Sequence, residues 1–314
     1  MGSTCQGARG VWYDPSVTFV PDRPSTRVPR TEPLKRLLAE RKIALKKRWG
    51  QHFYLDQNLL EFTARTADVK REDVVLEIGC GLGHLTRTLS PLAARVVGVE
   101  IDHGLATLLA ERTADLENLD LVEGDVLGEG EALSPEVGKA VRRALAAAPG
   151  DLLVVANLPY SVSATVILAL LESDLSIAQM VVMIQKEVAE RLASGAGDSA
   201  YGITSVLVQA KADVHVRRRV PPEVFWPRPK VPSSIVVITP KPEGRALRGE
   251  AYEKLKAVTK RVFLHRRKTL GASIRHLEGS ESLAERLQAS GLDPGLRVDE
   301  LGLKELLALA GIPR

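Results

Sequence analysis

From Asp73 onward, short apolar runs alternate with stretches of helical periodicity, and no other feature restricts the possible folds of this chain as strongly. Val74–Ile78, Arg95–Glu100, Leu119–Glu123, Leu152–Ala156 and Ala178–Ile184 read as strands. Most are nearly unbroken apolar runs, the pattern of strands buried on both faces. Helical patterns lie between them: one to about Leu89, then Leu105–Thr113, Ser134–Ala148 and Thr165–Leu171. Ser134 is expected as an N-cap with Pro135 at the first helical position. Val214–Arg219 and Ser234–Ile238 supply a sixth and a seventh strand. Repeated βαβ units predict an α/β fold with a seven-stranded, mainly parallel sheet covered on both faces. Ligands of such sheets gather beyond the carboxyl ends of the strands.

Beyond Pro242 the strands stop. Ala251–Leu264, Ser282–Ser290 and Leu303–Ala310 have helical spacing, so residues 243–314 are expected to form a small helical domain after a sheet domain over 32–242. Residues 1–31 hold four prolines and little periodicity, and read as a disordered extension. A helix is expected from near Thr31, with Pro33 in its first turn, running to the cluster Lys46-Lys47-Arg48.

Net charge is +4, but its distribution is uneven. Residues 1–50, 51–210, 211–275 and 276–314 carry +7, −12, +12 and −3. Two basic stretches around an acidic middle point to a polyanionic partner held by the flanks. The longest apolar runs are far below the roughly 20 residues of a membrane span, and the first 30 residues have no apolar signal-peptide core. Cys5 and Cys80 alone make neither a disulfide framework nor a zinc constellation. A cytoplasmic protein away from membranes is expected, with no metal.

Three strand ends carry a cofactor pattern. Leu76-Glu77-Ile78-Gly79-Cys80-Gly81-Leu82-Gly83 runs from a strand into a helix, and its glycines let backbone approach a ligand. A nicotinamide dinucleotide favours Gly-x-Gly-x-x-Gly. Here the third glycine comes one residue early and the sixth position is His84, which suits a ligand without a pyrophosphate. Glu100 ends the second strand, where an acid can accept hydrogen bonds from ribose hydroxyls. Asp125 follows the third strand, within reach of an adenine amine. The ordered set predicts S-adenosylmethionine.

The fourth strand ends in Asn157-Leu158-Pro159-Tyr160. The N6 amine of adenine is a poor nucleophile because its lone pair is delocalised. If the Asn157 side-chain oxygen and the Leu158 carbonyl accept both N–H hydrogens, the nitrogen is drawn toward tetrahedral geometry and its lone pair can be aimed. Pro159 fixes the turn without a competing N–H, and Tyr160 offers a stacking face. The alkylated amine is acidic enough to lose its proton to water, so positioning does most of the work. Phe225-Trp226-Pro227-Arg228-Pro229-Lys230-Val231 is expected to present Phe225 to the second face of an extruded base. Arg228 and Lys230 are expected at neighbouring phosphates.

From about Lys46 to the C-terminus the chain resembles the KsgA-type (RsmA) small-subunit ribosomal RNA adenine dimethyltransferases. The resemblance rests on Arg48-Trp49-Gly50-Gln51-His52-Phe53, Glu77-Ile78-Gly79-Cys80-Gly81, Asn157-Leu158-Pro159-Tyr160, Phe225-x-Pro227-x-Pro229-Lys230-Val231-x-Ser233 and Arg266-Arg267-Lys268-Thr269-Leu270. It implies a Rossmann-like class I methyltransferase fold and N6-dimethylation of two adjacent adenosines in the 3′-terminal hairpin of small-subunit (16S) rRNA. A monomer acting on a pre-30S particle is implied. Cofactor contacts would fall at His52, Tyr54, Gly79, Gly81, Glu100, Asp125 and Asn157, and base contacts at Asn157, Leu158, Pro159, Tyr160 and Phe225. Arg266, Arg267 and Lys268 would meet RNA. Tyr54 stands where the family usually has Leu, so only its backbone contact carries over, and Cys80 replaces a usual Pro. Two other readings fit less of the chain: the erythromycin-resistance methyltransferases of large-subunit rRNA, which more often have Ile at the position of Leu158, and a non-catalytic assembly factor, which would not need the Gly loop, Glu100, Asp125 and Asn157–Tyr160.

Overall fold

The computed structural model describes residues 32–46, 49–242, 246–277 and 279–312. In chain order the elements are α1 (Glu32–Glu40), β1 (Phe53–Tyr54), α2 (Gln57–Ala67), β2 (Val74–Ile78), α3 (His84–Leu89), β3 (Arg95–Glu100), α4 (His103–Arg112), β4 (Leu119–Glu123), α5 (Pro135–Ala146), β5 (Leu152–Asn157) and α6 (Ser163–Glu172). There follow β6 (Ile177–Gln185), α7 (Lys186–Ala193), α8 (Ile203–Gln209), β7 (Ala212–Val220), β8 (Phe225–Trp226), β9 (Ser233–Pro240), α9 (Gly249–Val262), α10 (Leu270–Arg275), α11 (Glu281–Ser290) and α12 (Leu303–Leu309).

Seven strands form one sheet in the order β4-β3-β2-β5-β6-β9-β7. The pairs from β4 to β6 are parallel, and β9 runs antiparallel to β6. The expected α/β class and seven-stranded sheet are therefore present. Crossovers on either side of β2 make the order reverse between β2 and β5, and this switch point opens the crevice where the motifs collect. Val74, Val75, Leu76, Val96, Val97, Val154 and Val155 are fully buried, which explains their unbroken apolar runs. On one face α2 buries Leu59, Leu60, Ala64 and Ala67 in a cluster with Val75, Val155, Val181 and Ile235.

Two compact units interleave along the chain. One comprises the described residues of Asp14–Ala189 with His215–Thr239, and the other those of Glu190–Val214 with Pro240–Arg314. Residues 190–214, which the sequence pattern assigns to the sheet domain, thus group with the C-terminal helices. In that second unit Tyr201 donates its hydroxyl to the Leu301 carbonyl at 2.9 Å. No helix among the described residues is long and apolar enough to cross a membrane.

α1 is shorter than its sequence pattern suggested. Lys42 takes a left-handed φ of 54°, and the Ile43 N–H reaches back to the Leu38 carbonyl at 2.9 Å, a terminating cap. The turn sends Ile43 and Leu45 into an apolar cluster with Leu38, Phe53, Leu82 and Leu105, so burial ends the helix early. The expected extension over 1–31, together with Lys47 and Arg48 of the basic cluster, lies outside the described residues.

Candidate active site

The glycine turn forms the floor of the crevice. Gly79, Gly81 and Gly83 all have positive φ, at 76°, 55° and 78°. A Cβ on Gly79 would stand 3.5 Å from the Asn157 carbonyl, and one on Gly81 would meet the Phe53 ring at 3.2 Å. The left-handed conformation favours glycine at all three positions, and at Gly81 the Phe53 ring also leaves little room for a Cβ. The turn is fastened to the end of β3: the Gly79 N–H donates to the Val99 carbonyl at 2.8 Å, and the Gly81 N–H to the Glu100 carboxylate at 2.8 Å. The other Glu100 oxygen accepts from the Asp102 N–H at 3.0 Å. Burial raises the Glu100 carboxyl above its ordinary range, against these hydrogen bonds.

Three adjoining clefts of about 140, 60 and 40 Å³ share Gly79. The first is lined by Ile101, Asp125 and Val126, the second by Gln51, Glu100 and Asn157, and the third by Glu77, Gly81 and His84. His52, Tyr54, Gly79, Gly81, Glu100, Asp125 and Asn157 all line this chain of clefts, as does Pro159. Tyr54 does so with its side chain turned to the core, where its hydroxyl meets Thr63 at 3.3 Å. Burial pushes that phenol far above its ordinary range. Asp125 accepts from the Leu127 N–H at 2.9 Å.

Asn157, the last residue of β5, is held by one end. Its Nδ2 donates to the His52 carbonyl at 3.0 Å, which fixes the amide's orientation. Its Oδ1 is buried and has no hydrogen-bond partner. A buried acceptor left open costs about 1–3 kcal/mol, so such an atom calls for a functional reason. Leu158 is buried, and its N–H is tied to the Met183 carbonyl at 3.0 Å. Tyr160 is half-buried; its hydroxyl lies 2.5 Å from Ser233 Oγ, and its ring stands 5.4 Å from that of His52.

Phe225, expected at the second face of the base, packs inward here. β8 pairs antiparallel with β1, setting Tyr54 opposite Phe225 and Phe53 opposite Trp226. Phe225 is 4% exposed and stacks on Tyr54 at 5.7 Å, so its ring belongs to the core. The ring beside Tyr160 is His52, whose Nδ1 lies 2.6 Å from the Pro227 carbonyl. A carbonyl can only accept, so Nδ1 carries the proton. Arg228 and Lys230 are exposed, and Arg228 pairs with Glu223.

The basic cluster of the second unit divides. Arg266 donates to the carbonyls of Asp198 (3.3 Å) and Ser199 (2.7 Å) and faces the Asp299 carboxylate at 4.0 Å, so it is a structural clamp. Arg267 and Lys268 are exposed.

Sequence reasoning left three contributors without a role. Glu77 is 1% exposed, one carboxyl oxygen has no partner, and burial pushes its carboxyl up to about 8. Ser233 appeared only as a letter of a motif. Asp102 receives Lys46 Nζ at 3.1 Å and Gln51 Nε2 at 3.3 Å, which ties the segment before His52 to the start of α4. Burial opposes the Asp102 charge, but hydrogen bonds from Lys46, Leu105 and Gln51 outweigh it and hold the carboxyl below its ordinary range. An acid two residues beyond Glu100 and just before a helix was the available signal.

A family model described as ribosomal RNA adenine dimethylase matches residues 43–311. The chain belongs to that family. Relatives named ribosomal RNA small subunit methyltransferase A include one from Anaeromyxobacter sp. (strain K), 38% identical over 88% of this chain and 96% of its own length. Another, from Phenylobacterium zucineum (strain HLK1), is 39% identical over 88% of this chain and 91% of its own. The fold is similar to that of a dimethyladenosine transferase from Plasmodium falciparum, with a TM-score of 0.68 and 26% identity, covering 83% of this chain and 98% of the other. Family members are methyltransferases acting on adenine in rRNA. The three-part cleft fits their cofactor class, because its lining joins the backbone of the Gly79–Gly81 turn to three acids, Asp125, Glu100 and Glu77.

Proposed function

We propose that this chain binds S-adenosylmethionine in the cleft over Gly79 and N6-dimethylates two adjacent adenosines in the 3′-terminal hairpin of small-subunit rRNA, in a pre-30S particle and as a monomer in the cytoplasm. The open, buried Oδ1 of Asn157 carries this reading. An adenine amine has two N–H donors, and Oδ1 is an acceptor already oriented by the His52 carbonyl and paying no reorganisation cost when the amine arrives. The Leu158 carbonyl is assigned the second N–H. Tyr160 supports the base plane, and Pro159 keeps the turn free of a competing donor.

Asp125 is assigned the cofactor's adenine amine, Glu100 its ribose hydroxyls and Glu77 its cationic tail. When bound, S-adenosylmethionine supplies an electrophilic methyl on a sulfonium. Asn157 and Tyr160 would hold the amine nitrogen with its lone pair free to receive that methyl, and the proton released from nitrogen would leave to water. Exposed Arg267 and Lys268, with Arg228 and Lys230, are assigned phosphate contacts.

Transfer of labelled methyl groups from S-adenosylmethionine to under-methylated small subunits tests the reading. Dimethyladenosine in small-subunit rRNA is the expected product. Label in large-subunit RNA alone would move the chain to the erythromycin-resistance type, and particle binding without transfer would make it an assembly factor.

A further inference from the structure

The segment from Pro227 to Ser233 contacts both rings that stand beside Asn157. At one end the Pro227 carbonyl lies 2.6 Å from His52 Nδ1. At the other, Ser233 Oγ lies 2.5 Å from the Tyr160 hydroxyl. Those two rings face each other at 5.4 Å with planes inclined by 31°. Ser233 is itself immobile: it is fully buried, it opens β9, and its backbone pairs with Gln185 of β6. The preceding residue is fixed as well, because the Lys186 N–H donates to the Pro232 carbonyl at 3.0 Å. A hydroxyl mounted on the sheet therefore sets the tilt of a half-buried tyrosine that otherwise could pivot about its side-chain torsions.

We infer that Ser233 is a positioning residue that acts through Tyr160 to support the second methyl transfer more than the first. This rests on the reading of Asn157 and Tyr160 given above. An unmodified amine offers two N–H groups to the site, whereas a monomethylated amine offers one. With half the hydrogen bonds gone, the orientation of the base in the second transfer depends more heavily on the ring it stacks against. That ring's orientation depends in turn on the Ser233 hydroxyl. In-line alignment is demanding, and a displacement of about 1 Å can cost on the order of 10²-fold in rate.

The test compares Ser233→Ala, Ser233→Thr and Tyr160→Phe in the full chain, with under-methylated small subunits and S-adenosylmethionine, scoring mono- and dimethyladenosine over time. Ser233→Ala is expected to slow the first transfer by a few-fold and the second by roughly tenfold more, so that monomethyladenosine accumulates, while cofactor affinity stays within twofold. Ser233→Thr keeps the hydroxyl and is expected to restore the dimethyl product. Tyr160→Phe removes the same hydrogen bond from the more exposed side, and adding Ser233→Ala to it is expected to change the product ratio no further. A wild-type ratio in Ser233→Ala, or an equal additional shift in the Tyr160→Phe background, would overturn the inference alone. Absence of any transfer by the wild-type protein would overturn the function on which it rests.

Discussion

Replacing Asn157 by Ala separates activity from stability in a way that few other substitutions here can. The change removes one hydrogen bond, Nδ2 to the His52 carbonyl at 3.0 Å, at a net cost of about 1 kcal/mol. It also removes Oδ1, a buried acceptor without a partner, whose burial costs about 1–3 kcal/mol. The two effects oppose each other, so the folded state is expected to be as stable as the wild type within about 1 kcal/mol, or slightly more stable. Turnover is expected to fall by about 10²–10³, the loss typical of removing one preorganised polar group aimed at reacting atoms. Cofactor affinity is expected to stay within a few-fold, since Gly79, Glu100 and Asp125 remain. Urea unfolding gives the stability, cofactor titration the affinity, and single-turnover methyl transfer the rate. Turnover within about threefold of wild type would remove Asn157 from the site. A large loss of stability would show instead that the amide is a structural strut.

Glu77, at about 8 in the fold against an ordinary 4.5, makes the protein lose stability as pH rises. Its contribution is intact below the ordinary value and is lost as pH climbs through the folded one, with a limit near 1.4 kcal/mol per pH unit. Glu77→Gln is expected to flatten the fall in urea-measured stability between about pH 5 and pH 8; identical profiles would contradict the burial argument. Arg266→Ala is expected to destabilise by about 1–3 kcal/mol and leave the salt dependence of RNA binding unchanged. The Arg267→Ala, Lys268→Ala pair is expected to leave stability alone and reduce the slope of log affinity against log salt by roughly 1.5; the reverse pattern would exchange their roles. Gly98→Ala sets a Cβ 2.9 Å from Cys80 Sγ and 3.3 Å from Leu119, and is expected to destabilise by about 1–3 kcal/mol. Cys80→Ala in the same chain is expected to recover much of that loss, and no recovery would show that Leu119 is the obstacle.

The strands of the sheet were legible because each buried strand is an apolar run of the right length, and the glycine turn and Asn157 tetrapeptide mark their ends. Strand order was not, because β2 pairs with β5 and β6 with β9 across long stretches of chain, and nothing local records such pairings. Helix α2 went unmarked although Asp56 caps it, accepting from the Leu59 N–H at 3.0 Å. Phe225 was placed at the base because it is aromatic and stands in a motif. The β1–β8 register sets it against Tyr54, a tertiary fact with no sequence signature. Three successive cations, Arg266 to Lys268, look equivalent as letters, yet only Arg266 points to the carbonyls of Asp198 and Ser199. Glu77 and Ser233 were visible as residues, but what each does depends on a neighbour's position in space.

A crystal structure of the protein with adenosine and a non-transferable analogue of S-adenosylmethionine tests the core of this description. The analogue is expected over Gly79, between Asp125 and Glu77, with the adenosine amine donating to Asn157 Oδ1 at about 2.9 Å and its base against Tyr160. An analogue bound outside the three clefts, or a purine unable to reach Oδ1, would contradict it.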